Sequence, residues 1–246
     1  SVVFLGDGDV TFNGDMDSRG RFRSFLRVAK NVHFKGKLTH NNYLDLHGVS
    51  GSDYHLYAPI EGSCYVTIIG TGDVPEVHLY STESVSCNWF QDNGVIVCED
   101  TNVIPPQLDY FELPRAACKI DLNGFDQEVR KFVVAKFVQA SSGHGFVSAT
   151  PAKFRFVGTS VPSFGARWSF YGCAGFEWDP QTADTTFVQS NAVSETRGVL
   201  AVTSGKYRLA NGASFTSLSS FAGASAAAGF LPSSRAISFV SSLRSA

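Results

Sequence analysis

The sequence predicts an all-β protein: an antiparallel β-sandwich of jelly-roll type over residues 1–211, followed by an extended C-terminal arm over 212–246. Three observations carry that expectation. Apolar and polar residues alternate with period two along much of the chain, while helical periodicity is scarce. Clusters of Gly, Asp and Asn fall between the alternating segments at short intervals, as in sandwiches and barrels. From Gly212 the composition changes. The 246 residues suffice for one large β domain with a substantial core, and no repeat period is visible.

The first element is the short strand Val10 to Phe12, set between the turn signals "GDGD" and "NGD". Its surroundings also test as a calcium loop and fail. Counting from Asp9, Thr11, Asn13 and Gly14 take positions three, five and six, but position twelve is Gly20, where a bidentate Glu is required. In "NVHFKGKLTH", Val32, Phe34 and Leu38 share one face, with His33, Lys35, Lys37 and Thr39 on the other. "CYVTIIG" is apolar almost throughout and reads as a doubly buried strand. "EVHLYS" sets Val77 and Leu79 against Glu76, His78 and Tyr80, and "SVSCNWF" sets Val85, Cys87 and Trp89 against Ser84, Ser86 and Asn88. "AKFRFVG" sets Phe154 and Phe156 against Lys153 and Arg155. "GFDQEVRKFVVAKFVQA" is the best helix candidate, yet its β-branched and aromatic residues fit a strand at least as well. "RGVLAVTSGKYRLANG" reads as a hairpin turning at Ser204-Gly205. The final segment holds no acid and only Arg235 and Arg244 as charges, punctuated by Phe215, Phe221, Phe230 and Phe239. A disordered tail is charged and poor in aromatics, so this one is expected to lie along another surface, inserting apolar side chains at intervals.

Composition narrows the functions. The net charge of −2 gives no polycationic footprint, so strong direct nucleic-acid binding is not expected. Charged residues make up only 17%, which suits a surface covered by partners. No apolar run reaches the length of a membrane span, and without a basic-then-apolar opening the first residues are not expected to act as a secretory leader. The five cysteines, Cys64, Cys87, Cys98, Cys118 and Cys173, lack CxxC spacing and are expected to be reduced. A chain that opens at Ser1, with its sole methionine at Met16, fits either removal of an initiator Met or cleavage from a precursor.

The strongest candidate for chemistry is "LDLHGVSGSDYHLY". Asp45-x-His47 and Asp53-x-His55 flank a Gly/Ser loop, and a hairpin there would bring two imidazoles and two carboxylates to one face, a set able to hold a divalent transition metal. Glu76-x-His78 is a third acid-x-His pair. Acid/His alternation is also the ordinary solvated face of an exposed strand, so we expect no bound metal, no catalytic residue and no cofactor. Other motifs point the same way. "IIGTGDVPEV" lacks the third glycine of a dinucleotide loop, and Gly70-Thr71-Gly72-Asp73 reads as a hairpin turn. Ser142-Gly143-His144-Gly145 has no triad partner that spacing identifies, and no GxSxG elbow occurs. Trp168, Tyr171, Phe176 and Trp178 fit a core or interface better than a sugar platform.

A large, weakly charged, Phe-rich β-sandwich with free cysteines, a chain start compatible with processing and a sticky arm resembles the coat proteins of picorna-like viruses. That resemblance lies in general character and implies jelly-roll subunits cut from a polyprotein. It implies a non-enzymatic structural capsid protein that joins other capsid subunits in an icosahedral shell. It also implies assembly in the host cytoplasm, residence in the virion and contact with a host receptor. No site residue carries over. The alternatives are a receptor- or carbohydrate-binding β-protein of a phage tail or fibre, and a metal-dependent β-sandwich enzyme built on the Asp/His hairpin.

Overall fold

The computed structural model describes residues 1–18, 22–40, 43–49, 51–61, 65–70, 75–82, 88–91, 94–113, 119–137, 145–158, 170–182, 184–189, 193–195, 199–204, 206–209, 214–216 and 220–223. Every element in it is a strand. The first coil of the chain contributes β1 (Val2–Phe4), β2 (Val10–Phe12) and β3 (Met16–Ser18). The next gives β4 (Phe22–Leu26), β5 (Asn31–Phe34) and β6 (Leu38–His40), and the third β7 (Tyr43–Gly48), β8 (Asp53–Leu56) and β9 (Ile60–Glu61). There follow β10 (Tyr65–Gly70), β11 (Glu76–Leu79), β12 (Asn88–Gln91), β13 (Val95–Cys98), β14 (Gln107–Leu113), β15 (Lys119–Asp121), β16 (Gln127–Val129), β17 (Lys131–Phe137) and β18 (Gly145–Phe156). The last are β19 (Phe170–Trp178), β20 (Thr186–Gln189), β21 (Val193–Glu195), β22 (Val199–Val202), β23 (Lys206–Leu209), β24 (Ser214–Thr216) and β25 (Ser220–Gly223).

With the exception of β18 and β19, strands adjacent in sequence do not pair. Each pairs in parallel with its counterpart one coil later, giving a 7-stranded sheet β1-β4-β7-β10-β12-β14-β17, an 11-stranded sheet from β2 to β25, and three small sheets at the corners. The molecule is a β-solenoid, and the antiparallel jelly-roll sandwich is overturned. The physical reason is that period-two alternation reports only that one strand face is buried. A coil with its inner face on a shared core produces the same pattern as a sandwich strand. The Asp/Gly clusters are corners, not reversals. Asp9 Oδ1 accepts from the Asn31 N–H at 3.0 Å and Asp15 Oδ1 from the Lys37 N–H at 2.7 Å, so these carboxylates cap the backbone of the next coil. Both contacts span 22 residues, whereas the matching corner contact from Asp126 to the Lys153 N–H spans 27. A repeat therefore exists, but its step drifts. Close stacking at a corner also fixes Gly36, where a Cβ would lie 2.3 Å from the Gly14 backbone.

The inner faces carry the core. Val32, Tyr54, Val77, Ile96, Ile120, Phe146 and Phe170 follow one another rung by rung, all nearly inaccessible. Phe12 stacks on Phe34 at 5.1 Å, and Phe156 on Trp178 at 5.1 Å. Burial of this kind contributes roughly 1.5–3 kcal/mol for each large apolar side chain. The face assignments expected for Val32/Phe34/Leu38, Val77/Leu79 and Phe154/Phe156 all hold. Tyr54 is the polar member of the core, its hydroxyl donating to the His47 carbonyl at 2.7 Å and lying 3.0 Å from Ser24 Oγ.

Several local expectations change with the topology. Val199–Val202 and Lys206–Leu209 are no hairpin, because they join different sheets. The helix candidate is β16 and β17, as its β-branched residues allowed. In the segment from Gly212, β24 and β25 pair with β21 and β22, and residues 224–246 lie outside the described residues. Cys98 is a buried free thiol and Cys173 an exposed one, while Cys64, Cys87 and Cys118 lie outside the description. Among the described residues no helix is long and apolar enough to cross a membrane.

Candidate functional site

In-register parallel stacking puts equivalent residues of successive coils side by side, about 4.8 Å apart. On the outer face of β5, β8 and β11 this produces three rows. Asn31, Asp53 and Glu76 form the first, and His33, His55 and His78 the second. Just beyond the strand ends, Lys35, Tyr57 and Tyr80 form the third. The imidazoles stack face to face, with centroids 4.6 Å apart at both steps and interplanar angles of 16° and 18°. Tyr57 and Tyr80 stack at 4.4 Å, and Lys35 Nζ sits 3.2 Å from the centre of the Tyr57 ring.

The bonding of the imidazoles repeats from coil to coil. His33 Nδ1 lies 3.3 Å from the Tyr57 hydroxyl, His55 Nδ1 3.1 Å from the Tyr80 hydroxyl, and His78 Nδ1 2.5 Å from Glu99 Oε1. In each case the partner comes from the coil below. The Nε2 edge of His78 faces the acidic row, 3.5 Å from Glu76 Oε2. Burial, reinforced by the charges of His78 and His33, holds His55 down at about 4, so its ring is neutral at pH 7. Burial and the nearby Glu99 carboxylate raise Tyr80 to about 12, so its hydroxyl keeps its proton.

The structure divides the constellation expected around Asp45, His47, Asp53 and His55. No hairpin joins its halves: β7 lies in the 7-stranded sheet and β8 in the 11-stranded one. Asp45 is fully buried and pairs with Arg23 Nε at 3.0 Å, one coil earlier. His47 stacks on Phe25 at 4.3 Å. The other half joins the third acid-x-His pair instead. Ligand atoms of Asp53, His55 and His78 all lie within 4.8 Å of one another.

Further along the same sheet the outer face has a different chemistry. Glu128, Arg155 and Glu177 occupy equivalent positions on β16, β18 and β19. Arg155 reaches Glu128 Oε2 at 3.1 Å, Glu177 Oε1 at 3.1 Å and Asp179 Oδ2 at 2.5 Å. Ser204 Oγ donates to Asp179 Oδ1 at 2.6 Å. Burial alone would raise the Asp179 carboxyl, but the Ser204 and Arg155 bonds outweigh it and hold the group below its ordinary range. Of the aromatics read as core or interface, Phe176 and Trp178 are buried and Tyr171 is half-buried; Trp168 lies outside the described residues, as does Ser142-Gly143-His144.

Sequence reasoning named all three acid-x-His pairs but paired the wrong two. The signal available was the like spacing of "DYHLY" and "EVHLY", which aligns residue for residue and marks successive rungs. Tyr57, Tyr80, Glu99 and the Arg155 network were missed as site residues. No protein-family model, curated protein or solved structure matches the chain.

Proposed function

We propose that the chain is a non-enzymatic structural segment of a larger assembly, of the attachment-fibre kind, built as a rigid β-solenoid rod. The observation that carries this reading is the stacking of coil on coil in parallel register along one shared core. Open strand edges invite pairing. Here β1, β2 and β3 stand at the ends of their sheets, and Val2, Val3 and Leu5 are 37%, 49% and 72% exposed. In the purified chain that apolar edge is where a second copy would dock.

The coat-protein expectation drew its support from a sandwich and a trailing arm, and the fibre reading needs neither. It keeps the expected partners, other particle subunits and a surface receptor, and the expected setting in a virion or comparable particle. A rod of stacked coils suits such a role because each added coil extends the lateral surface without altering the core.

Sedimentation and negative-stain microscopy of the purified chain test the reading. We expect concentration-dependent association into end-to-end particles, abolished in a Val3→Lys/Leu5→Lys double variant whose circular dichroism is unchanged. A parent chain that stays monomeric across the concentration series defeats the proposal.

A further inference from the structure

We propose that Asp53, His55 and His78 form a binding site for a divalent transition cation on the outer face of the solenoid. This inference stands independently of the fibre reading, because it rests on the register of two adjacent coils and not on the rod's end.

Four features of the geometry point to a cation. The donor set is two imidazoles and one carboxylate, an arrangement that suits zinc and its first-row neighbours. The three groups come from adjoining rungs, so β8 and β11 hold them in fixed register, with ligand atoms within 4.8 Å of one another. Ligands at about 2.0–2.1 Å from one zinc ion stand roughly 3.3 Å apart, so binding draws the three groups together from separations of up to 4.8 Å and tilts the stacked rings towards a common point. Both imidazoles are also engaged at Nδ1 from the opposite side, His55 by the Tyr80 hydroxyl and His78 by the Glu99 carboxylate. A metal-binding histidine characteristically gives its second ring nitrogen to such a partner, which fixes the ring and directs the other nitrogen to the ion. Finally, the Nε2 edge of His78 faces the acidic row, where Glu76 Oε2 lies 3.5 Å away. Glu76 is thus placed beside the site as a further oxygen donor, and water completes the shell at this half-exposed face.

The grouping is selective within the ladder. His33 has the same stacking and the same type of Nδ1 partner, but its neighbour in the acidic row is Asn31, which brings no carboxylate. His47, with an acid two residues before it, lies on the other sheet against Phe25.

The experiment titrates EDTA-dialysed protein with zinc chloride by calorimetry, and with cobalt(II) chloride by visible absorption, at neutral pH. We expect one equivalent to bind, with cobalt giving the spectrum of an ordered nitrogen/oxygen site and zinc raising the melting temperature. Asp53→Asn and His78→Gln should each weaken binding by at least about tenfold, and Glu99→Gln by about tenfold through loss of the carboxylate charge that supports the His78 ring. His33→Gln should change it by less than about twofold, since that ring stands outside the group formed by Asp53, His55 and His78. Circular dichroism and metal-free melting identify any variant that fails to fold, and Glu99→Gln leaves every ligand in place. Absence of saturable binding by the parent chain overturns the site. So does a His33→Gln loss equal to that of His78→Gln, which would mean nonspecific coordination along the histidine row.

Discussion

Two stretches of one long sheet answer the same geometric demand in opposite ways. Around His33, His55 and His78 like side chains stack on like, ring over ring. Around Arg155 the equivalent positions alternate in sign: glutamate, arginine, glutamate. Parallel register brings outward side chains of successive coils within contact distance. Stacked rings gain dispersion energy from that repetition, about 0.5–1.5 kcal/mol for an aromatic pair. Like charges in the same arrangement repel. On the Arg155 ladder alternation of sign therefore turns repulsion into attraction, whereas the acidic row repeats a carboxylate at Asp53 and Glu76, beside the imidazoles.

The largest effect is expected from breaking the alternation. Arg155→Met keeps much of the stem but leaves Glu128, Glu177 and Asp179 facing one another without their shared cation. Charge-assisted bonds at a part-exposed site support a loss of about 2–3 kcal/mol after allowance for solvent screening. Urea denaturation should show the midpoint falling with the slope unchanged, and a loss below about 0.5 kcal/mol would mean that the network is only a surface contact.

Acid should sharpen the same contrast. Asp179 has a depressed folded pKa, so the unfolded chain takes up the proton first. Its contribution is complete above the ordinary value of 3.8 and is lost as pH falls through the lower folded value. A stability profile taken downward from pH 5 should fall more steeply for the parent than for Arg155→Met. Parallel profiles would remove Asp179 from the account of acid sensitivity.

Which strand faces are buried was legible in the sequence, because alternation is a local property: Val32, Phe34, Val77, Leu79, Phe154 and Phe156 all turn inward as read. Which strand pairs with which was not, because partner choice depends on turn geometry that composition leaves open. Asp9 and Asp15 look the same at a reversal and at a solenoid corner, and only their bonds to Asn31 and Lys37 one coil later distinguish the two. The repeat was hidden because ladders tolerate substitution within a face. Val32 stands over Tyr54 and Phe34 over Leu56, so residue identity is lost where burial is kept. The same ambiguity misplaced the acid/His group. A hairpin would have paired Asp45 with His55, whereas the coil pairs His55 with His78.

The smallest predicted effect separates the two ladders by their response to salt. Lys35 Nζ lies over the Tyr57 ring and closes one end of the tyrosine stack. Lys153 meets Glu177 at 3.3 Å on the charged ladder, with the lysine side chain 45% exposed. Both lysines are surface cations, and each contact should be worth about 0.5 kcal/mol. They differ in what the cation meets. The carboxylate carries a full charge that mobile ions screen once the Debye length falls to about 3 Å near 1 M salt. The tyrosine presents a quadrupole at contact range, where no ion intervenes, and the lysine stem covers the ring whatever the ionic strength. Double-mutant cycles on Lys35→Met with Tyr57→Leu, and on Lys153→Met with Glu177→Gln, should therefore give similar coupling at low salt. At about 1 M sodium chloride the second coupling should vanish and the first should persist. If both vanish together, the lysine over Tyr57 acts through the neighbouring charges and not through the ring. The ring ladder would then be as dependent on charge as the one built on Arg155.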